Sequence, residues 1–383
     1  VSTLQSQSTT GDTHVDNTGA LNLEGLDGAN AQEAGGSIYT FASSPITQSS
    51  SIVAAGEIII EADEDPNDAS GPDNITIVAG VTLHSTGSSV KLLAGDDIII
   101  ESGATIKAAV DVEIRAAYQD AVTDSGQSIT IDGDVEAGQN LIMTASEYDD
   151  NVTVSAPLVV GQNFTLDTGN GADTVVFGVA DSGSSADILK TTTGSITIDL
   201  GSSDTGSKAD NFTLHGNMVA ETAVTLTSGD GADVLTVNGE ITSNTDAIDI
   251  ITGSDSDQFT VKGLIKAQTN VTLDTADGSD IVTLGELVGG IAQGGIETVA
   301  GTVKLDLGET TDGSSDNDQF TLTGDITAYA KIDIDTGAGA DVVTVNGTMT
   351  ATTDMIDIDS GAGVDEITVT GTMTTDAAAI DIN

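Results

Sequence analysis

Cysteine and tryptophan are absent from this 383-residue chain, 4 residues are proline, and aromatic side chains make up only 3%. Without cysteine the chain has no disulfide framework, no thiolate metal site and no cysteine nucleophile. Basic residues are also scarce, with 9 Lys and Arg against 61 Asp and Glu and a formal net charge of −52. Phosphate recognition needs clustered Lys and Arg. We therefore expect neither nucleic acid nor an anionic membrane as a partner.

Long apolar runs are missing too, because no stretch reaches the roughly 18 residues that a membrane-spanning helix needs. We expect no membrane insertion. The chain does contain 38% hydrophobic residues and 45 glycines, which separates it from acidic disordered tails and is typical of many short strands joined by turns. It begins with Val1 rather than Met, which we interpret as a processed or excised N-terminus.

An internal repeat organises most of the chain, and a repeat must be identified before the fold is assigned. Each unit reads as a short alternating strand, a Gly/Asp turn, a second alternating strand, a glycine and a third short strand. Longer units carry turn insertions, DEDPNDASGPD before Asn74 and GETTDGSSDND at 308–318. Thirteen unit starts, 22 to 32 residues apart, define twelve complete units: Ile58, Val90, Val112, Leu141, Phe164, Ile196, Val224, Ile248, Val271, Val303, Ile332, Ile356 and Ile380.

Alternation within a unit predicts which side chains face inward. In the last full unit these are Ile356, Ile358, Ile367, Val369 and Met373, with threonines between them on the outer side. Three strands of this length cannot bury their apolar side chains alone, but stacked units can. The sequence therefore predicts an all-β fold, a right-handed parallel β-helix (β-solenoid) of about twelve three-strand coils with Asp/Gly-rich turns.

A second period lies above the coil, because unit lengths of 32, 28, 24 and 23 from Phe164 recur as 32, 29, 24 and 24 from Val271. The first 55 residues do not fit it, and SIYTF (37–41) and SIVAAG (51–56) are their only strand-like pieces. We divide the chain into a cap, linker or docking segment (1–55), a diverged four-coil block (56–163), two four-coil super-repeats (164–270 and 271–379) and the start of a further coil (380–383).

Aspartates mark the turn between the first and second strands, which reads D-T-G-x-G-x-D at 167–173 and 335–341 and nearly so at 359–365. Stacked carboxylates would recur about every 4.8 Å and repel one another by roughly 1 kcal/mol in water. Oxygen ligands on glycine-rich turns suit Ca²⁺. Alternatively, the aspartates only cap the turns and are solvated. The candidate calcium ligands are Asp167, Asp173, Asp230, Asp233, Asp255, Asp257, Asp274, Asp277, Asp280, Asp335, Asp341, Asp359 and Asp365.

These turns resemble the calcium-binding G-G-x-G-x-D-x-U-x nonapeptides of RTX proteins, although here one Asp/Gly turn occurs per 23 or more residues instead of in tandem. The Thr/Asp/Gly-rich units of 56–383 are similar to the strand repeats of large RTX-like and filamentous-haemagglutinin-like adhesins and extracellular filament proteins. That resemblance implies a secreted, extended protein at the surface of a bacterium, in a biofilm or adhesion setting.

The function that we expect is mechanical: a non-enzymatic, calcium-stabilised rod that forms a surface fibre or adhesin stalk by end-to-end stacking. Its partner would be itself, with residues 37–56 meeting the 380–383 end, or other cell-surface or matrix components. The alternatives are an S-layer-type protein, a polysaccharide-active β-helix enzyme and an ice-binding solenoid. Against an enzyme, His14, His84 and His215 occupy unrelated repeat positions and form no nucleophile–base–acid set.

Overall fold

A computed structural model describes the chain, and it divides into two compact units. The first comprises Val1–Gly169, Asp173–Gly178 and Ile188–Thr193, and the second Asn170–Ala172, Val179–Asp187 and Gly194–Asn383. The described residues are 6–8, 10–17, 19–23, 32–63, 72–118, 126–180, 186–201, 208–308, 316–376 and 379–383. Most of the two predicted turn insertions therefore lies outside the described residues. No helix in the described part is long and apolar enough to cross a membrane.

The first unit is built of short strands, which are β1 (Ser6–Ser8), β2 (Thr13–Asn17), β3 (Leu21–Leu23), β4 (Gln32–Ala34), β5 (Ile38–Ala42), β6 (Ile46–Gln48), β7 (Ile52–Ala54), β8 (Ile58–Ala62), β9 (Ile75–Ile77), β10 (Thr82–Ser85), β11 (Val90–Ala94), β12 (Ile98–Ile100), β13 (Thr105–Ala108), β14 (Val112–Arg115), β15 (Ser128–Ile131), β16 (Asp134–Ala137), β17 (Leu141–Thr144), β18 (Asn151–Val154), β19 (Leu158–Val160), β20 (Phe164–Asp167), β21 (Thr174–Phe177) and β22 (Asp187–Thr191).

The second unit continues the same style with β23 (Ile196–Asp199), β24 (Asn211–Leu214), β25 (Asn217–Ala220), β26 (Val224–Thr227), β27 (Val234–Val237), β28 (Ile241–Ser243), β29 (Ile248–Ile251), β30 (Gln258–Val261), β31 (Leu264–Ala267), β32 (Val271–Asp274), β33 (Ile281–Leu284), β34 (Glu286–Val288), β35 (Ile291–Gln293), β36 (Gly295–Thr298), β37 (Val303–Asp306), β38 (Gln319–Leu322), β39 (Asp325–Ala328), β40 (Ile332–Asp335), β41 (Ala338–Gly339), β42 (Val342–Val345), β43 (Thr348–Ala351), β44 (Ile356–Asp359), β45 (Ala362–Gly363), β46 (Glu366–Val369), β47 (Thr372–Thr375) and β48 (Ile380–Ile382).

Each strand pairs in parallel with the equivalent strand of the next coil, so each unit has three sheets. We call them the first, second and third sheets, after the position of their strands in the coil. In the second unit the first sheet runs β23-β26-β29-β32-β37-β40-β44-β48, the second β24-β27-β30-β33-β38-β42-β46 and the third β25-β28-β31-β36-β39-β43-β47. In the first unit they run β2-β5-β8-β11-β14-β17-β20, β3-β6-β9-β12-β15-β18-β21 and β1-β4-β7-β10-β13-β16-β19-β22. This topology confirms the predicted parallel β-solenoid.

The predicted repeat is confirmed residue by residue. Each of the thirteen predicted starts, from Ile58 to Ile380, is the first residue of a first-sheet strand. Identical residues stack in register; for example, Ile332 pairs with Ile356, and Ile334 with Ile358. The described strands make fourteen coils rather than twelve, because two further coils precede Ile58.

Those two further coils change the interpretation of residues 1–55. The described part of this segment forms β1 to β7, which belong to the same three sheets as the later coils. Both edges of β5 are paired within the chain, with β2 and β8, and both edges of β7 with β4 and β10. These two strands therefore offer no free edge to another molecule, and docking of residues 37–56 on the 380–383 end stays a prediction. The sequence showed β5 and β7 as strand-like pieces, but the short, polar β4 between them and the three-residue β3 and β6 concealed the repeat.

Apolar side chains from all three sheets fill the interior of each unit. Ile58, Ile60 and Val90 in the first unit and Ile332 and Val343 in the second are fully buried. Burying such a side chain contributes about 1.5–3 kcal/mol relative to leaving it in water. β-Branched residues also suit the pleated, half-buried strand. The inward positions predicted for the last unit lie in the same rows, since Ile367 pairs with Val343.

Glycine marks the corner between the second and third strands because the coils approach closely there. A Cβ atom on Gly263 would lie 1.7 Å from the carbonyl oxygen of Gly239 in the preceding coil. One coil departs from this compact corner: β34 and β35 form an antiparallel hairpin inserted between β33 and β36. Its Leu287 and Ile291 are 65% and 68% exposed. The period alone did not reveal this hairpin.

Candidate functional site: a buried aspartate ladder

A row of aspartates lies at the turn that leads into the second sheet of the second unit. Each is two residues before the first inward-facing apolar residue of its second-sheet strand, as Asp257 is before Phe259. All but the last are at most 1% exposed, although short carboxylates are seldom buried without a partner. The members of this aspartate ladder are Asp210, Asp233, Asp257, Asp280, Asp318, Asp341 and Asp365.

Main-chain amides connect the ladder from one coil to the next. The N–H of Asp233 donates to Oδ1 of Asp257 at 2.8 Å, and the N–H of Asp257 donates to Oδ1 of Asp280 at 2.8 Å. The same bond joins Asp210 to Asp233 at 2.7 Å, Asp280 to Asp318 at 2.7 Å, Asp318 to Asp341 at 2.9 Å and Asp341 to Asp365 at 3.1 Å. A side-chain oxygen thus takes the place of a peptide carbonyl and satisfies a buried donor in each turn.

In two coils of the second unit, the second carboxylate oxygen accepts from a hydroxyl five residues earlier in the chain. Thr336 Oγ1 donates to Oδ2 of Asp341 at 3.0 Å, and Ser360 Oγ donates to Oδ2 of Asp365 at 3.1 Å. Thr252 and Thr275 occupy the corresponding position in the coils of Asp257 and Asp280. Their fully buried hydroxyls lie near the carboxylates but form no hydrogen bond of standard geometry among the described residues.

Burial raises the pKa of four of these carboxyl groups, those of Asp257, Asp280, Asp318 and Asp341. It raises the pKa of Asp257 to about 8, while the Thr252 hydroxyl and the Asp233 amide, which favour the ionised form, offset only part of that effect. Burial likewise raises the pKa of Asp280 to about 6. The nearby charges of other ladder aspartates add to the rise because like charges disfavour a further ionisation. The ladder therefore tends to take up protons or cations near neutral pH.

The first unit has only parts of this ladder. The N–H of Asp150 donates to Oδ1 of Asp173 at 2.7 Å, and Ser146 donates to Asp150 from both its amide and its hydroxyl. Gln127 occupies the next ladder position toward the N-terminus, and its main-chain N–H donates to Oδ1 of Asp150. Farther toward the N-terminus, the N–H of Asp73 donates to Oδ2 of Asp96 at 2.5 Å.

The structure separates the predicted calcium ligands into three groups. Those at the end of the turn, namely Asp173, Asp233, Asp257, Asp280, Asp341 and Asp365, belong to the ladder rows. They are buried or half-buried, so the expected repulsion between exposed, solvated carboxylates does not describe them. Sequence reasoning missed the buried hydroxyl partners, and it left Asp210 and Asp318 out of the ligand set. The signal that could have revealed these hydroxyls is a Ser or Thr at the third inward position of the first-sheet strand, where an apolar residue is expected.

Those at the start of the turn cap it. Oδ1 of Asp167 accepts from the N–H of Gly169 at 3.0 Å, and Oδ1 of Asp274 accepts from the N–H of Ala276 at 3.1 Å. Asp335 and Asp359 make the same bond to the residue two positions on, at 3.0 and 2.9 Å. This is the Asx-turn geometry that aspartate favours.

The remaining three predicted ligands lie in the middle of the turn. Asp230 and Asp255 are exposed, and Asp277 is half-buried with its Oδ1 buried and unpartnered. Within the described ranges, no group of three or more His, Cys, Asp or Glu side chains is arranged to hold a metal ion. Calcium at these thirteen aspartates stays a prediction.

Taken together, the three parallel sheets and the internal ladder define a parallel β-solenoid whose turns are hydrogen bonded through side chains. Comparison of the chain with protein-family models, with curated proteins and with solved structures finds no match.

Proposed function

We propose that this chain is a non-enzymatic structural protein of the bacterial cell exterior, used as a surface fibre or as the stalk of an adhesin. One observation supports this most directly: within each unit the strands inside the three long sheets are paired on both edges, and in the second unit the turns are bonded to one another as well. Bonding between coils at both strands and turns resists bending and local opening. A rigid spacer needs that property.

The pairing rule between coils also supports self-association. In the second unit Ile356 stacks on Ile332, Asp357 on Asp333 and Ile380 on Ile356. A coil therefore accepts a nearly identical coil on its face, and a second copy of the chain carries such coils. The resemblance of the repeat units to those of large bacterial surface proteins supports an exterior location.

Electron microscopy of the purified full chain tests the polymerising form of this proposal. We expect end-to-end filaments whose mean length grows with protein concentration, and sedimentation that shows the same growth. A two-dimensional lattice would favour an S-layer-type protein instead. Monomers alone at every concentration would contradict self-association.

Proteolysis and enzyme assays test the mechanical and non-enzymatic parts. We expect proteinase K to cut the second unit at the exposed hairpin loop, Gly289 and Gly290, and to leave the stacked strands intact. Rapid cleavage within strands such as β29 or β40 would contradict a rigid spacer. Release of new reducing ends or unsaturated sugars from acidic polysaccharides would contradict the absence of enzyme activity.

A further inference from the structure

In the coils of two ladder aspartates, Asp210 and Asp318, a buried leucine takes the place of the hydroxyl residue: Leu200 and Leu307. Asp318 is 1% exposed, and its Oδ1 accepts from the N–H of Asp280 at 2.7 Å. The coil of Asp318 carries the fully buried Leu307 where the two following coils carry Thr336 and Ser360. Oδ2 of Asp318 is buried and has no hydrogen-bond partner in the described part of the chain. A buried, unsatisfied carboxylate oxygen requires a physical explanation.

Two other oxygen atoms lie beside this one, around Gly308. A Cβ atom placed on Gly308 would lie 3.4 Å from Oδ2 of Asp318, 3.6 Å from the carbonyl oxygen of Ala276 and 3.6 Å from that of Thr336. We call this arrangement the Gly308 cradle. Ala276 belongs to the preceding coil and Thr336 to the following one. Within the described residues, neither carbonyl oxygen accepts a hydrogen bond.

All three oxygens of the Gly308 cradle are acceptors, and the nearby charge is negative. Asp280 carries a second buried oxygen without a partner, and the charges of Asp280, Asp341 and Asp316 act on Asp318. Lys304, in the same coil, is paired with Asp306 at 2.5 Å. Three converging acceptors without a donor form an unfavourable arrangement unless a cation or proton lies between them.

We propose that the Gly308 cradle binds a Ca²⁺ ion through Oδ2 of Asp318 and the carbonyl oxygens of Ala276 and Thr336. Ca²⁺ accepts 6–8 oxygen ligands in flexible geometry at about 2.3–2.6 Å, whereas Mg²⁺ requires near-ideal octahedral geometry. Gly308 is only half-buried, so water can supply the remaining ligands. With a single carboxylate, the cradle is consistent with the absence of a cluster of three acidic side chains among the described residues.

This site differs from the calcium ligands predicted from the sequence, since Asp318 is outside that set. The neighbouring turns contribute main-chain carbonyls rather than their aspartates. The main chain at Ala276 has an unusual conformation, because its φ of 54° is left-handed. Gly337 and Gly361 occupy the corresponding position in later turns. A non-glycine residue in that conformation costs about 1–2 kcal/mol. The proposal does not depend on the mechanical function.

The test is calcium titration of the full chain after treatment with chelator, read by isothermal calorimetry and by thermal unfolding. Ligand binding to the folded state alone raises the melting temperature by mass action. We expect wild type to bind one Ca²⁺ more tightly than the dispersed sites of so acidic a surface. Asp318→Asn should weaken that tightest site at least tenfold and remove its share of the thermal shift, without lowering stability in chelator.

Asp365→Asn is the matched control, because both carboxylate oxygens of Asp365 are already hydrogen bonded, by Asp341 and Ser360. It should retain the tight site. Leu307→Thr provides a second variant: it offers Oδ2 of Asp318 a hydroxyl and should reduce the difference between chelator and calcium. Circular dichroism checks that each variant folds.

Three results would overturn the proposal. One is an equal loss of calcium response in Asp318→Asn and Asp365→Asn. Another is an identical stabilisation by Mg²⁺ at the same concentration, which would indicate general screening of the −52 charge. The third is stability that depends on pH but not on calcium, which would assign a proton to the cradle.

Discussion

The two compact units differ at the third inward position of the first-sheet strand. In five successive coils of the first unit this residue is a buried alanine: Ala42, Ala62, Ala94, Ala116 and Ala145. In five coils of the second unit it is a buried hydroxyl residue: Ser228, Thr252, Thr275, Thr336 and Ser360.

The ladder position, two residues before the first inward residue of each second-sheet strand, also differs between the units. The second unit has an unbroken row of aspartates there, whereas the first unit has Gln127 between Asp96 and Asp150 and, in an early coil, Ser44. A turn that supplies donors to both carboxylate oxygens accommodates a buried aspartate most readily. In the second unit Asp341 receives such a donor from the inward Thr336, whereas in the first unit Asp150, beside Ala145, receives its donor from Ser146. We therefore expect the two units to respond differently to the changes below.

The largest expected effect is a difference in pH dependence. Burial raises the pKa of Asp257 in the second unit to about 8 and that of Asp150 in the first to about 6. A carboxyl whose pKa is raised on folding contributes stability that is present below its unfolded pKa and lost as pH rises through its folded pKa, with a slope of at most about 1.4 kcal/mol per pH unit and group. With chelator present, the second unit should therefore lose stability up to about pH 8, and the first only to about pH 6.

Urea unfolding followed by hydrogen-exchange mass spectrometry at pH 5, 7 and 9 measures the two units separately. Asp257→Asn should stabilise the second unit at pH 8 and flatten its pH profile, because the buried charge is removed and the acceptor oxygen is kept. Identical pH profiles of stability for the two units would contradict the predicted difference in their pH dependence.

The hydrogen bond itself has the next largest expected effect. Asp257→Asn and Asp257→Ala both remove the charge, but only asparagine keeps an acceptor for the N–H of Asp233. The alanine variant should be less stable than the asparagine variant by about 2–3 kcal/mol, since it leaves a buried donor unsatisfied. Asp230, exposed in the preceding turn, provides the control: Asp230→Ala should change the free energy of unfolding by less than about 0.5 kcal/mol. Equal stability of the two Asp257 variants at every pH would contradict the ladder.

Removing a hydroxyl should have a smaller effect, and its sign should differ between the units. Thr336→Val deletes the donor to Oδ2 of Asp341 and should destabilise the second unit by about 1 kcal/mol. Thr40 in the first unit is fully buried, and its hydroxyl has no partner in the described structure. Thr40→Val should be neutral or slightly stabilising, because no bond is lost. Chemical denaturation measures both, and equal destabilisation would show that the hydroxyl–carboxylate pair contributes nothing.

The smallest expected effect concerns one turn residue in each unit. Ala117 and Ala276 have left-handed φ values of 53° and 54°. Ala→Gly at either position relieves about 1–2 kcal/mol of backbone strain and loses part of it through greater freedom of the unfolded chain. A net stabilisation of about 0.5–1 kcal/mol is expected in thermal unfolding. The reverse change, Gly337→Ala, should destabilise the chain, since a Cβ there would lie 2.6 Å from the Gly308 carbonyl oxygen.

The parallel stack could be predicted from the sequence because buried and exposed residues alternate along each strand. The row of Ile332, Ile356 and Ile380 is visible as IDID written twice and IDI once. The early coils were missed since β3, β4 and β6 are three residues long, too short for a period of two to be recognised beside serines and glutamines. The hairpin β34–β35 was missed because an inserted antiparallel pair obeys no coil period.

Burial of the aspartates could not be predicted by the same reasoning. Asp257 and Asp280 follow Gly/Ser/Asp-rich turns, and such turns are normally exposed. Their burial depends on the register between neighbouring coils, which sets each carboxylate opposite an amide of the preceding turn. The sequence of one coil does not contain that register.

Hydrogen exchange at the ladder amides tests the central claim most directly. The N–H groups of Asp233, Asp257 and Asp280 donate to buried carboxylates, so residue-resolved exchange should show protection equal to that of strand amides in β29 and β32. The exposed loop amides of Gly289 and Gly290 supply the unprotected reference within the same unit. Exchange of the three aspartate amides at the rate of that loop would contradict an internal ladder.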